Sequence, residues 1–351
     1  MDPVRAQKAL EHFVIERKNY QVVPVQQGYI NDTFRIELKD DPLFILQCLN
    51  KAVFPDIRAL MQNLETVLPA VRQEGYSSFE LMPTKARKPL YEDDKGALWR
   101  LMTYVSDSIS YNTTNQPAIA YEAGKLLGIF HRLLEKVPPA SLAIIIPDFH
   151  SLEKRLAQFQ KALSFASGER LEKAHEMITY VEATLPYLAL DPKITIPVRC
   201  CHNDTKLNNM LFSKKSGKAL CLIDLDTLMP GYFHYDFGDA ARTLVNPAEE
   251  DEQDLEKITF NLQMLESTLE GLKDSGIQLT ATEKSLLSYG VILMPFLHGL
   301  RALTDYLEQD RYYKVSFPEQ NLQRSKSLFS FCQKALENRD RISEMVKKIL
   351  N

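Results

Sequence analysis

His202-Asn203-Asp204-Thr205-Lys206-Leu207-Asn208-Asn209, followed by the aspartate of Cys221-Leu222-Ile223-Asp224-Leu225-Asp226, decides how this chain is read. Asp204 is a carboxylate able to accept a proton from a hydroxyl. Asn209, five residues on, offers an amide oxygen, and Asp224 closes the apolar run from Ala219 to Ile223 with a second carboxylate. Such oxygen donors suit magnesium, a hard cation that keeps several waters and shares substrate phosphates. A proton acceptor, a neutral oxygen donor and a strand-end carboxylate, in that order, predict a phosphoryl-transfer centre. Taken alone, Asn203-Asp204-Thr205 reads only as a turn or helix cap.

The neighbouring residues carry narrower readings. Asn208 adjoins Asn209, but the five-residue spacing from Asp204 selects Asn209 as the metal donor. By the period of two of a strand, Asp226 points to the same side as Asp224. It serves as a second metal or substrate residue, or it bonds the loop. His202 is a buried, hydrogen-bonded brace of that loop. Lys206 either meets the migrating phosphoryl group or is a solvated lysine. Asp236 and Asp239 fall in a second loop, where a buried Asp236 accepts hydrogen bonds from loop amides. His298, Arg301, Thr304, Asp305 and Tyr306 share one helix, with Arg301 and Asp305 four apart on one face. They form either an exposed ion pair or a cleft-facing set that grips a polyhydroxylated ligand.

A chain of 351 residues exceeds one small core, so two lobes are expected, over residues 1–105 and 106–351. The net charge of -4 offers no basic field for a nucleic acid. The N-terminus lacks the apolar run of a signal peptide, and no stretch is long enough to span a bilayer. Five cysteines, odd in number and without metal-ligand spacing, read as free thiols, with Cys200 and Cys201 buried. The expectation is a cytoplasmic monomer that acts on a small molecule.

Hydrophobic periodicity organises the rest. Residues 4–18 read as a leading helix, and Val22 to Val25, Thr33 to Leu38 and Leu43 to Gln47 as strands. Between the first two strands, the turn around Gly28 suits a hairpin tip that covers phosphates, or an ordinary hairpin turn. Pro55 to Glu74 is helical by its apolar face, and residues 79–92 and 97–105 read as further strands. Beyond Ala118 helices dominate: Tyr121 to Glu135, 152–187, 250–273, 281–309 and 320–349. The catalytic stretch, 196–245, reads as strand-loop-strand-loop. Met102 to Asp107 joins the lobes as a nucleotide hinge.

The pattern His202-x-Asp204, four residues, Asn209, then Ile223-Asp224 resembles the aminoglycoside phosphotransferase and choline kinase-like superfamily. Gly28-Tyr-Ile-Asn-Asp-Thr-Phe34, Leu60-Met61-x-Asn63, Asp204-Thr-Lys206, Asp224-Leu-Asp226-Thr-x-Met-Pro-Gly231 and Arg301-x-Leu-Thr-Asp305-Tyr306 narrow the resemblance to its N-acetylhexosamine 1-kinases. It runs over nearly the whole chain. It implies an α+β, two-lobed protein-kinase-like fold, with a small antiparallel-sheet N-lobe and a mostly helical C-lobe. It also implies phosphorylation of the C1 hydroxyl of N-acetylglucosamine or N-acetylgalactosamine, dependent on ATP and Mg2+. Carried onto matching positions, Asp204 is the base and Asn209 and Asp224 hold the metal. Arg301 and Asp226 touch the sugar, with Asp305 and Tyr306 beside them. Gly28, Asn31, Thr33, Gln47, Met102 and Tyr104 contact the nucleotide.

One position departs from the kinase pattern. Where protein kinases place a phosphate-binding lysine on the third strand, this chain has Gln47, which brings no charge. Either Lys51, Arg35 or magnesium compensates, with Glu65 on the next helix pairing with such a cation, or the nucleotide is bound with modest affinity. Two other functions remain open at this point. One is a kinase for a different small hydroxylated substrate (another hexose, an amino alcohol or an aminoglycoside). The other is a nucleotide-binding protein without catalysis.

Overall fold

The hairpin tip at residues 26–29, and with it Gly28, lies outside the residues the computed structural model describes, which are 2–16, 18–25 and 30–351. Helix α1 (Pro3–Leu10) starts on Asp2, whose carboxylate accepts from the Val4 and Arg5 amides. It is shorter than its sequence suggests. After Leu10 the chain swings to pair with the 83–85 segment, Val14 N donating to Pro83 O and Lys85 N to His12 O.

Six strands follow in this region, β1 (Gln21–Val25), β2 (Asp32–Leu38), β3 (Asp41–Cys48), β4 (Leu81–Met82), β5 (Tyr91–Glu92) and β6 (Leu98–Thr103). They form one antiparallel sheet in the order β1-β2-β3-β6-β4, with β5 also on β6. Alternation divides its two faces. Phe34, Ile36, Leu46, Trp99 and Leu101 face outward under α1 and close a small core with Ala6, Ala9, Leu10 and Phe13. Register partners stand side by side on one face of a sheet. Thr33, Gln47 and Arg100 are partners across β2, β3 and β6, and so form a polar row on the other face.

Helix α2 (Ile57–Val71) lies between β3 and β4 and buries Ile57, Leu60, Met61, Leu64, Val67, Leu68 and Val71. Asn63 is buried within that apolar stripe. Its side chain accepts from Ala143 N at 2.8 Å and donates to Ala143 O at 2.8 Å and Leu228 O at 2.9 Å. The helix is thereby fastened to the helical remainder of the protein.

That remainder opens with the short β7 (Ser108–Ile109), then α3 (Pro117–Leu133), α4 (Leu152–Phe165) and α5 (Gly168–Thr184). Next come β8 (Arg199–Cys201), β9 (Met210–Ser213), β10 (Ala219–Leu222) and β11 (Met229–Gly231). They make two small ribbons, β10-β9-β7 and β11-β8. Helices α6 (Phe233–Leu244), α7 (Leu262–Asp274), α8 (Ala281–Ser285), α9 (Leu287–Leu307), α10 (Gln320–Glu337) and α11 (Arg339–Leu350) complete the chain. The expected helix over 250–273 begins only at Leu262, because residues 250–261 form a loop with one 3-10 turn. No helix among the described residues is long and apolar enough to cross a membrane.

Helix α9 is the axis of this part, apolar nearly all round and buried along its length. It meets α6 at two glycines. A Cβ on Gly238 would lie 2.1 Å from Gly290 O, and one on Gly290 would lie 2.1 Å from His234 O. Only glycine permits that approach. It sets α6, with Asp236 and Asp239, directly against the helix that carries His298 and Arg301.

Candidate active site

The segment from His202 to Asn209 leaves β8 and is fixed from several sides before any ligand arrives. The Asp236 carboxylate accepts from His202 N at 2.9 Å and Asn203 N at 2.7 Å and meets His131 Nε2 at 2.9 Å. Asp236 and Asp239 lie not in a second loop but in the first turns of α6, closed to solvent. The acidic and aromatic run from Tyr232 to Asp239 masks an apolar helical stripe, Phe233, Phe237, Ala240, Ala241 and Leu244. Its helix is set by packing on α9 more than by propensity. Asn203 takes the left-handed conformation, φ 63°, which asparagine tolerates. Its amide donates to the carbonyls of Cys201, Thr227 and Met229 at 3.1 to 3.3 Å. A side chain at Gly231 would press to 2.8 Å from Asn203 Oδ1, so the residue ending β11 must be glycine.

His202 is wholly buried. Its Nδ1 accepts from Asp204 N at 3.2 Å, so the proton is assigned to Nε2, which donates to Ile223 O at 2.8 Å. The His202 carbonyl accepts from Thr227 Oγ1 at 2.7 Å. His150 Nε2, 2.9 Å from Asn203 O, adds a contact that the sequence did not flag. Together these bonds fix the backbone that presents Asp204.

About a fifth of the Asp204 side chain is exposed. Its Oδ2 accepts from Asn209 Nδ2 at 2.9 Å and faces Lys206 Nζ at 3.1 Å. Asn209 Nδ2 also donates to Asp204 O at 2.8 Å, which leaves the Asn209 amide oxygen as its remaining donor atom for a cation. Burial works against the Lys206 charge. Asp204, Asp224 and Glu250 outweigh it and hold the ammonium above its ordinary value.

The strand β10 ends at Leu222, and Asp224 sits beyond it in the left-handed region, φ 61°. Asp226 lies in the 3-10 turn Leu225–Thr227, so strand alternation does not relate the two carboxylates. Asp224 is exposed to solvent, with Asp226, Asp204, Lys206 and Arg100 around it. Desolvation, then the charges of Asp226 and Asp204, push its carboxyl above the ordinary range, against the pull of Lys206 and Arg100. Asp226 is buried. It accepts from Asn31 Nδ2 at 2.8 Å and pairs with Arg100 Nη1 at 2.5 Å.

Arg100 was invisible to motif reading. Its Nε and Nη2 both donate to Gln47 Oε1, at 3.0 and 2.6 Å, and Gln47 Nε2 donates to Thr33 Oγ1 at 3.1 Å. The signal was a lone arginine in the otherwise apolar Leu98-Trp-Arg-Leu-Met. The suggested compensating cations are engaged elsewhere, Lys51 with Gly96 O and Arg35 with Glu37. Glu65 lies on the exposed side of α2, away from any such cation. At the hinge Met102 is buried within β6, and Tyr104 N donates to Leu43 O at 2.9 Å.

Beside Asp204 lies a cavity of about 280 Å3, walled by Asn50, Val53, Phe149, His298, Arg301 and Tyr313 among others. The Arg301 guanidinium lies 5.0 Å over the Phe149 ring. Neither reading of its helix face as a set survives whole. Asp305 is buried and accepts from Tyr312 N, Tyr313 N and Asn321 Nδ2 at 2.8 to 2.9 Å. It does not pair with Arg301, but it places two tyrosines in the wall and, with Arg301 and Thr304, lines an adjoining cavity of about 370 Å3. Tyr306 is buried with the Arg170 guanidinium 4.5 Å over its ring. His298 faces the cavity and meets Asp239 at 3.2 Å.

A family model described as "Phosphotransferase enzyme family" matches residues 21–269. Among solved structures, a microcompartment-associated aminopropanol kinase is similar at TM-score 0.66 and 17% identity, covering 97% of this chain and 99% of that one. A choline/ethanolamine kinase family protein from Mesorhizobium loti gives 0.55 and 14%, over 97% and 98% of the two chains. An amicoumacin kinase, solved with AMP-PNP and Ca2+, gives 0.60 and 11%, over 97% and 94%. At such identities these likenesses establish the fold alone.

Proposed function

The chain belongs to the phosphotransferase enzyme family, and on that premise we propose that it phosphorylates the anomeric hydroxyl of an N-acetylhexosamine, using ATP and magnesium. The observation that carries the acceptor class is the charge of the cavity wall. Asp204, Glu249, Glu250 and Asp251 are there with Lys206, Arg242, Arg301, Lys314 and Arg324. The acids are also occupied. Glu250 pairs with Arg242, and Asp251 accepts from Gln320 at 2.8 Å. A wall without surplus negative charge does not select a cationic amine. A guanidinium stacked on Phe149, with tyrosines beside it, suits a neutral polyol carrying an amide carbonyl.

In this reading Asp204 accepts the acceptor's proton. Its Oδ2 is held by Asn209 and Lys206, while Oδ1 carries no hydrogen bond to the described residues and is left for the incoming hydroxyl. A hemiacetal hydroxyl is more acidic than an alcohol, so positioning and charge stabilisation suffice with a carboxylate base. The residues present fit a hard divalent cation. Asp224 has its charge opposed by two neighbouring carboxylates, and Asn209 has its amide oxygen uncommitted. When bound there, the metal screens the phosphate charge. Lys206 stands where it can follow the transferred group.

The run Glu249-Glu250-Asp251 favours a second reading, a cationic acceptor: an amino alcohol, as named for the aminopropanol and choline/ethanolamine kinases, or an aminoglycoside. The deciding experiment is phosphorylation by ATP and magnesium across N-acetylhexosamines, other hexoses, amino alcohols and aminoglycosides, with products placed by 31P and 1H NMR. A C1 phosphate on N-acetylglucosamine or N-acetylgalactosamine is expected. Turnover confined to cationic acceptors would overturn the sugar assignment and keep the phosphotransferase.

A further inference from the structure

The N-terminal sheet of this phosphotransferase presents one buried cation to the catalytic half, and it does not come from β3. Thr33, Gln47 and Arg100 are register partners, so their side chains form one row across β2, β3 and β6. Within that row Gln47 grips the Arg100 guanidinium through both Nε and Nη2, which fixes its plane. The remaining arm, Nη1, reaches Asp226 at 2.5 Å, two residues from Asp224. Arg100 is 2% exposed and Asp226 3%. Asn31, just before β2, donates to the other Asp226 oxygen at 2.8 Å and accepts from Asn50 N at 3.0 Å. A neutral glutamine on β3 therefore does not leave the sheet without charge. It serves as the clamp for an arginine on the next strand.

We propose that Arg100 is a positioning residue for phosphoryl transfer, supplying from β6 the fixed positive charge of the N-terminal sheet and clamping Asp226, and with it the Asp224 turn, in place. Three carboxylates, Asp204, Asp224 and Asp226, crowd the point where a phosphate tail and its cation must lie. Lys206 and Arg100 are the cations that act on Asp224 there. Lys206 belongs to the catalytic loop, whereas Arg100 belongs to the sheet. Arg100 and Asn31 both tie this part of the sheet to the Asp224 turn through Asp226, and of the two the arginine alone brings charge. The inference rests on the phosphotransferase reaction and not on the identity of the acceptor.

The test compares Arg100→Gln, Arg100→Lys and the double variant Arg100→Gln/Asp226→Asn. Its readouts are calorimetric titration with AMP-PNP plus magnesium and the thermal midpoint of the free protein. Arg100→Gln strands a buried carboxylate, so the midpoint should fall by about 5–10 °C. Its AMP-PNP-magnesium affinity should weaken about tenfold or more. Arg100→Lys keeps the charge but loses the fork, and should recover part of the affinity. The double variant replaces the ion pair with two amides. Its midpoint should return toward the original while the affinity stays low. Recovery of both in the double variant would make the pair a structural brace and overturn the proposal. So would unchanged affinity in a folded Arg100→Gln. If the unaltered protein binds no AMP-PNP with magnesium, the nucleotide assignment itself falls, and the proposal with it.

Discussion

Between His202 and Asn209 the backbone is held by Asp236, His150, Thr227 and the Asn203 side chain, all from the same half of the molecule. The N-terminal sheet reaches that half through a few side chains, chiefly Arg100 and Asn31 on Asp226. Asn63 on α2 adds a further tie. The first region has its geometry imposed by redundant bonds, each satisfying a buried polar group that would otherwise be costly. The second is attached through fewer polar bridges, together with an apolar contact in which Leu98, Met102, Tyr76, Phe79 and the buried face of α2 join the core of the helical half. Residues that do chemistry are thus built into a rigid scaffold. The surface that would cover a nucleotide is placed by contacts whose individual loss should be felt in ligand affinity.

The sharpest break in the comparison is Asp204→Asn. The substitution keeps the shape and the backbone bonds of the braced loop and removes the proton acceptor together with the charge that faces Lys206. Single-turnover phosphoryl transfer should fall about 10²–10⁴-fold, while calorimetry shows AMP-PNP and magnesium binding within about threefold of the original. A folded variant with near-normal turnover would remove Asp204 from the base role. Asp236→Ala probes the scaffold itself. Two loop amides and His131 lose their acceptor inside the core, so urea unfolding should register a loss of about 3–5 kcal/mol. Turnover should drop in the fraction that remains folded. A loss below about 1 kcal/mol would mean the loop is not held as described.

Acid should expose the same core more gently. Desolvation, with the nearby His298 charge, lowers His150 to about 3, and desolvation lowers His234 to about 4. His298 is lowered as well, chiefly by burial. Each imidazole stays neutral in the folded protein and takes a proton when unfolded below its ordinary value near 6.5. Stability therefore falls as pH drops from about 6.5 toward 4. The raised carboxyls of Asp224 and Glu249 act in the opposite sense over the lower part of that window. His150 and His234 are buried whereas Asp224 and Glu249 are exposed, so the imidazoles set the sign and the net effect is a loss of stability on acidification. Urea midpoints at pH 7.0, 6.0 and 5.0 measure it, and His234→Asn should flatten the slope by about one proton's worth. Midpoints that rise on acidification would show that the carboxyls win.

The strands of the N-terminal sheet were legible because period-two alternation, turn residues and β-branched runs agree there. The stretch from His202 to Asn209, with Asp224, stood out because its spacing matches a reaction geometry. What escaped was long-range. Helix α1 stops at Leu10 because residues 83–85 recruit the following backbone, a partner no local window contains. α6 was read as a loop because its helix depends on the Gly238 and Gly290 contact with α9, 52 positions apart in the chain. The Asp224 and Asp226 geometry was misjudged because a left-handed residue ends the strand early. Arg100 went unnoticed for a similar reason. Its meaning lies in Gln47 and Asp226, which are 53 and 126 positions away. Asp305 and Tyr306 were grouped with Arg301 by helical spacing, which cannot distinguish a cavity wall from the turn that supports it.

The smallest expected effect is the most discriminating about α2. By kinase logic a glutamate on this helix pairs with the phosphate-binding cation, and Glu65 is the residue the sequence offers. In the structure its side chain is exposed and lines a surface pocket with Arg72, Arg87 and Lys88, apart from the cavity that Asp204 lines. The cation of this fold is instead neutralised by Asp226, from the opposite half of the molecule. Helix α2 keeps its position through neutral Asn63, two residues earlier, whose amide bridges Ala143 and Leu228. Glu65→Ala should therefore leave AMP-PNP and magnesium affinity unchanged within error, and the thermal midpoint likewise. A severalfold loss of affinity would mean that α2 rotates on nucleotide binding to bring Glu65 inward. In that event the division between a rigid catalytic loop and a lightly tethered sheet would extend to the helix as well.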